Sequence, residues 1–187
     1  MEFAREIGDT DAEGIELNSL GSAYIALEEP QRSIEFFEKA LIITRETGNR
    51  LREGNALGNL GRAYGILGDP SRAIPFFEER LKIAIEMKDR IGESNSLGNL
   101  GVAFQDLNEP ARAMEFYQQQ LDITREIQYR LGEGNTLFNI SRAFEELGQH
   151  SQSIAHAEAS LRIFQQTKDP REAKVQRRLS QLYSQME

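Results

Sequence analysis

The stretch EGNALGNLGRAYGILGDPSRAI at residues 53–74 returns forty residues later as ESNSLGNLGVAFQDLNEPARAM, and forty beyond that as EGNTLFNISRAFEELGQHSQSI. A period of this length constrains the fold more than any composition does. Each unit is too small to bury an apolar face alone, so it must stack on its neighbours. Laid out in forties, the whole units are 11–50, 51–90, 91–130 and 131–170. A half unit at 1–10 precedes them, since EFAREIGDT matches the unit end IITRETGNR. A second half unit at 171–187 follows, where REAKVQRRLSQLY fits the unit start once one residue is dropped near Pro170. The reading is one continuous solenoid over 1–187 without linkers.

Composition removes whole classes of function. The chain has no cysteine, so disulfides and thiolate chemistry are excluded. Its apolar runs are a few residues long, too short for a membrane span or a secretory leader. A net charge of -8 opposes long-range attraction to nucleic-acid phosphates or anionic lipid. The expectation is a cytoplasmic protein with no nucleic-acid and no membrane partner.

Each unit reads as two helices. Leu57, Leu60, Ala63, Tyr64 and Leu67 recur at spacings of three and four, the stripe of a helix and not the alternation of a strand. Gly68 tolerates the left-handed conformation of a helix end, and Asp69-Pro70 opens the next helix with an acceptor at the N-cap and a preset φ behind it. Ala73, Ile74, Phe77, Leu81 and Ala84 carry the second stripe. The short turn predicts antiparallel packing. Helix pairs are expected near 11–48, 51–88, 91–128 and 131–168, with single helices at 2–8 and 171–185. Gln149-His150 replaces the Pro signal in the fourth unit, which predicts a less sharp start there. Pro75, inside a second helix, removes one hydrogen bond.

These positions resemble the tetratricopeptide repeat (TPR) family, in the longer-helix variety seen in LGN/Pins-type and kinesin light chain repeats. The match falls on Leu57, Leu60, Gly61, Tyr64, Gly68, Ala73 and Phe77, and again on Leu97, Leu100, Gly101, Phe104, Ala113 and Tyr117. The family's final Ala is replaced by Arg80, Gln120 and Ser160. The resemblance implies an all-α, right-handed superhelical solenoid of antiparallel helix pairs, with the first helix of each pair lining a concave groove that binds protein or peptide.

Asparagine supplies the candidate site. Asn55 and Asn59, Asn95 and Asn99, and Asn135 and Asn139 are i, i+4 pairs, so both amides of each pair share a helix face that is not the apolar stripe. Asn is a mediocre helix former, and propensity alone would not place it there three times. Two readings stand: a ladder of amides between neighbouring helices, or amides that bond the main chain of an extended peptide. The first unit breaks both series with Ile15 and Ser19.

Other groove positions implied by the resemblance are Arg62, Val102 and Arg142, then Gly58, Gly98 and Phe138, then Ile66, Gln105, Asp106, Glu145 and Glu146. The last half unit adds a basic end with Lys174, Arg177, Arg178 and Gln181. Arg62 and Arg142 would read acidic side chains, and Phe138 with Val102 would give apolar contact. Gly58 and Gly98 would either relieve crowding or leave room for a ligand backbone.

Catalysis has little to stand on. The two histidines, His150 and His156, have a spacing that suits no helical metal pair, and no nucleophile–base order can be drawn. Glu13, Glu53, Glu93 and Glu133 sit at helix starts, where a carboxylate favours the helix dipole. The chain is therefore expected to be no enzyme, to need no cofactor or metal, and to serve as a protein-interaction module. The alternative is a structural or assembly module that self-associates through exposed solenoid ends or docks within a larger signalling protein.

Overall fold

The structure, a computed structural model, describes residues 10–184. The helix expected at 2–8 lies outside the described residues. Among these residues there are nine helices and no strand. They are α1 (Thr10–Ala26), α2 (Pro30–Glu46), α3 (Arg50–Ile66), α4 (Pro70–Met87), α5 (Arg90–Asp106), α6 (Pro110–Glu126), α7 (Arg130–Glu146), α8 (His150–Thr167) and α9 (Glu172–Ser184). The expected pairs therefore form, as does the last single helix. Helix α4 runs on through Pro75, which is exposed. The fourth unit's second helix starts at His150, in step with the Pro starts, against the expected looser beginning.

The chain divides into two compact units, Met1–Asn99 and Leu100–Glu187. In the first, α1 packs on α2, α2 on α3, α3 on α4, and α1 also touches α3. Its core joins Leu17, Phe37, Ala40, Leu41, Ala56, Leu57, Leu60, Ala63 and Ile83. In the second, α6 packs on α7, α7 on α8 and α8 on α9, with Ala157, Phe164, Val175, Leu179 and Leu182 in one cluster. Most of the cluster residues are the stripe positions of the sequence, as helical periodicity requires, and Ala40, Ala56, Ile83 and Val175 join them from beside the stripes.

Contacts within a hairpin fix its direction. Tyr64 stacks on Phe76, while Gly61 faces Phe77, Gly58 faces Arg80 and Gly54 faces Ile83. As one number falls the other rises, so the helices run antiparallel. A Cβ on Gly61 would lie 2.4 Å from Phe77, and one on Gly21 2.5 Å from Phe37. Only glycine admits the aromatic ring at that distance, which is why a residue costing about 1 kcal/mol in a helix interior stands there.

The turns repeat twice as often as the sequence. Glu28, Gly48, Gly68, Lys88, Asn108, Gln128, Gly148 and Lys168 all have positive φ, between 52° and 75°. At each, two backbone N–H groups reach back to the helix just ended, as Lys88 N to Ile85 O (3.1 Å) and Asp89 N to Ala84 O (2.8 Å) do. This is the Schellman closure, which satisfies carbonyls that the helix end leaves open. The backbone thus has a half-period of twenty residues, although only three of the eight positions are glycine.

Helix starts vary more. Asp69 caps α4 by accepting from Arg72 N at 3.1 Å, Asn49 caps α3 from Arg52 N at 3.2 Å, and Asp89 accepts from Gly92 N at 2.9 Å. Glu29 and Glu109 make no cap and instead pair with Arg32 (2.7 Å) and Arg112 (2.8 Å). Those arginines lie over the rings of Tyr24 and Phe104 at 4.4 and 4.0 Å. The mouths of the first three hairpins are each closed by an acid, a guanidinium and an aromatic pair, whereas the fourth has Gln149 and Gln152 in place of the two charges.

Candidate functional site

The first helix of each pair positions the candidate residues, and their surroundings differ from unit to unit. Asn55 and Asn95 are exposed, whereas Asn59, Asn99, Asn135 and Asn139 are half-buried. Asn59 Nδ2 donates to Asn18 Oδ1 at 3.0 Å, joining α3 to α1. One rung of an amide ladder therefore exists, and its partner is Asn18, one residue before the Ser19 that broke the sequence series. Such a bond between half-buried amides contributes about 1 kcal/mol and fixes the stacking register.

In the second unit α7 and α9 bring Phe138, Arg142, Lys174, Arg177, Arg178 and Gln181 together around one open cleft of about 450 Å³, with Glu146 on its wall. Lys174 Nζ stands 5.2 Å from the centroid of the Phe138 ring. The Arg178 guanidinium pairs with Glu145, and its Nε is buried without a partner. Arg142 and Arg177 make no hydrogen bond or ion pair among the described residues. Glu146 is held from behind by Gln105 Nε2 at 2.6 Å. The cleft thus presents more cationic groups than its own acids neutralise, beside one aromatic ring. That combination suits an anionic group attached to apolar structure.

Its near end is anchored by a turn. Asp169 Oδ1 accepts from Arg171 N (3.0 Å) and Nε (2.6 Å), and Oδ2 from Nη2 (2.7 Å). These bonds hold the Asp169 carboxyl at about 2, well below its ordinary value. Arg171 also lies 4.8 Å over the Phe164 ring, so the start of α9 is tied to α8.

Several residues behave otherwise than the sequence suggested. Gln105, placed in the groove by resemblance, is buried: its Oε1 accepts from Tyr117 Oη at 2.9 Å. Burial pushes the Tyr117 hydroxyl well above its ordinary range and keeps it a neutral donor. The space beside Gly58 is filled by Arg80, whose Cδ and Nε would lie 2.8 and 2.9 Å from a Cβ there. Glu53 is more than a dipole partner. It is 5% exposed and receives Arg45 Nε at 3.0 Å and Arg50 Nη1 at 2.6 Å, bridging α2 to α3. Glu133 repeats this with Arg125 and Arg130, whereas Glu93 pairs with Arg90 and the sequence has Ile85 at the place of Arg45. An Arg eight residues before the Glu was the signal that could have found these bridges.

Among the described residues no group of three His, Cys, Asp or Glu side chains could hold a metal ion. No described helix is long and apolar enough to cross a membrane.

Comparison with known proteins now bears on this arrangement. Models of the tetratricopeptide repeat match residues 11–86 and 96–128. The chain belongs to the TPR family. The sequence matches no curated protein at a significant level. Among solved structures, the apo form of RapI superposes with a TM-score of 0.85 at 17% identity, over 93% of this chain and 64% of that one. A kinesin light chain from Podosopora anserina with nearly identical TPR-like repeats gives 0.74 at 19%, over 90% and 84%. A Rap protein complexed with Competence and Sporulation Factor gives 0.82 at 11%, over 93% and 49%. This TPR chain thus spans less than two thirds of the two Rap proteins. At such identities the likeness shows the fold alone, an all-α helical repeat solenoid; membership of the TPR family supports a protein–protein interaction module.

Proposed function

We propose that this TPR chain holds an extended, acidic segment of a protein partner, and that the second unit supplies the main grip. The observation that carries this reading is the cleft between α7 and α9. Residues separated by more than thirty positions in sequence, Phe138 and Arg142 on one side and Lys174, Arg177 and Arg178 on the other, converge there with a surplus of positive charge. In a chain of net charge -8, a basic cleft is a local exception to the general field. Arg142 and Arg177 would pair with acidic side chains, and the Phe138 ring, with Val102 on α5, would take apolar ones. Asn135 and Asn139, on the same helix as Phe138, offer amides to a peptide main chain. In the first unit Asn55, Asn95 and Arg62 are exposed and Asn99 half-buried; they would add polar contacts of the same kind. Asn59 contributes to stacking and offers only what its bond to Asn18 leaves open. A neighbour of the same fold was solved with a factor bound, which agrees with a binding role.

Selection from a displayed peptide library tests the reading. Enriched peptides should carry Asp or Glu beside an apolar residue, and Arg142→Ala with Arg177→Ala should weaken them at least about tenfold, or about 1.4 kcal/mol. Enrichment without acidic residues, or unchanged affinity in the double variant, would overturn it. A second reading, an assembly module, draws on the exposed apolar Leu51, Ile85, Met87 and Ile91. Sedimentation that shows concentration-dependent association, abolished by Leu51→Ser and Ile91→Ser, would favour it.

A further inference from the structure

The second hairpin carries an arginine where the family's small residue would stand, and its surroundings are unusual. Arg80 leaves α4 and crosses the face of α3 at Gly58, close enough that any Cβ there would collide with it. It is half-buried yet makes no hydrogen bond or ion pair among the described residues. The corresponding residues elsewhere are neutral: Ala40 in the first hairpin, Gln120 in the third and Ser160 in the fourth. Ser160 turns inward and donates to Gly134 O at 2.7 Å, so the position is not inherently charged.

The face that Arg80 reaches is polar. Asn55 lies three residues before Gly58 and Arg62 four residues after it, so all three share one face of α3. Asn55 and Arg62 are exposed, and neither has a hydrogen-bond partner among the described residues. A small cavity of about 20 Å³ lies at Arg80, lined also by Leu51, Asn55, Met87 and Asp89. Asp89 is the acid on that wall, but its Oδ1 is engaged by Gly92 N at 2.9 Å and it forms no ion pair with Arg80. Burial pushes the Arg80 guanidinium below its ordinary pKa, Asp89 opposing the fall and Arg62 adding to it. A guanidinium that has lost part of its hydration without gaining a carboxylate is poised to accept one.

We propose that Arg80 and Arg62, with the Asn55 amide beside them, form a second anion site specific to the second hairpin, which takes the carboxylate of an acidic side chain from a protein partner. Gly58 exists to let the guanidinium through, and the exposed Leu51 and Met87 flank the entrance for an apolar neighbour of that carboxylate. The site lies wholly in the first unit and does not depend on the basic cleft of the second.

The test uses the whole chain, arginine side-chain NMR and the probe peptide acetyl-(Glu)4-amide, with acetyl-(Gln)4-amide as the neutral control. The Nε–H signals of Arg80 and Arg62 should shift saturably with the acidic probe and remain still with the control. Arg80→Met keeps the aliphatic stem over Gly58 and removes the charge. It should abolish the shift of Arg62 or weaken it at least about tenfold, and leave the melting temperature equal or higher. Three results would overturn the proposal: no saturable shift at Arg80, an unchanged Arg62 titration in Arg80→Met, or a strong loss of stability in that variant, which would make Arg80 structural. Signals of Arg142 and Arg177 in the same spectra report the other cleft separately, so failure of one site is distinguishable from failure of the other.

Discussion

In the second hairpin the Phe77 ring lies on Gly61, Tyr64 stacks on Phe76 at 5.5 Å, and Asp69 caps α4. In the fourth hairpin the same places hold Ala157 and Ser141, Phe144 against His156 at 5.0 Å and 39°, and Gln149 without a side-chain cap. Both hairpins nonetheless close with the same backbone geometry, at Gly68 and Gly148 and at Lys88 and Lys168. The pair of residues across the hairpin is therefore what the fold constrains, not either residue alone. The same closure thus accommodates a ring on glycine in one copy and, with fewer side-chain atoms, a methyl against serine in the other. The serine is admissible because its Oγ lies 3.2 Å from Ser153 Oγ, so the hydroxyl is not buried unpaired.

The strongest way to break this comparison is to give the second hairpin half of the fourth hairpin's solution. Phe77→Ala should cost about 3–5 kcal/mol by urea denaturation, since it opens a cavity opposite a glycine. Adding Gly61→Ser to that variant should recover at least about 1 kcal/mol; no recovery would mean the pair is not the unit. Gly61→Ala alone, which presses a methyl on the Phe77 ring, should cost about 1–3 kcal/mol despite the better helix former. Helix starts give smaller effects. Asp69→Ala should cost about 1 kcal/mol, and Gln149→Asp should add about 0.5–1 kcal/mol to the fourth hairpin.

The closing turns sharpen the comparison by where no difference is expected. Lys88→Gly and Lys168→Gly should each stabilise by about 0.5 kcal/mol, since a left-handed residue with a Cβ is strained by more than glycine loses in entropy. Unequal gains would show that the two turns are not equivalent. The smallest effect is electrostatic. The Asp169 carboxyl is held down by Arg171, so its contribution is present above the ordinary value near pH 3.9 and is lost as pH falls towards about 2. Carboxyl NMR should place its midpoint at about 2, and Arg171→Ala should return it towards about 3.9.

The helices and their buried stripes were legible because apolar spacing is a property of single segments, and Leu57, Leu60 and Leu100 are all fully buried as the spacing required. Basic residues of the last half unit were legible through the period, which aligns Lys174 and Arg178 with Asn55 and Asn59. What escaped the sequence depends on residues that meet only after stacking. Asn18 is out of register with the asparagine series, yet it supplies the bonded rung. Arg80 read as a departure from a pattern, because nothing local says that a glycine on the partner helix admits it. The left-handed Lys88 and Gln128 gave no signal either, since a turn that glycine would announce is here imposed by the packing on both sides.

The twenty-residue half-period of the backbone has a consequence for folding errors. A chain that paired one helix out of step would keep every turn, every Schellman closure and the length of every helix, so local structure offers no penalty for the slip. Proofreading must come from the side chains. A helix meant to present Gly21 or Gly61 would then present a crowded face, and Phe37 or Phe77 would find no gap. The glycine–aromatic pairs thus act as alignment marks as well as packing, and in the fourth hairpin the mark is displaced, Gly134 meeting Phe164 while Ser141 stands at the place of Gly61.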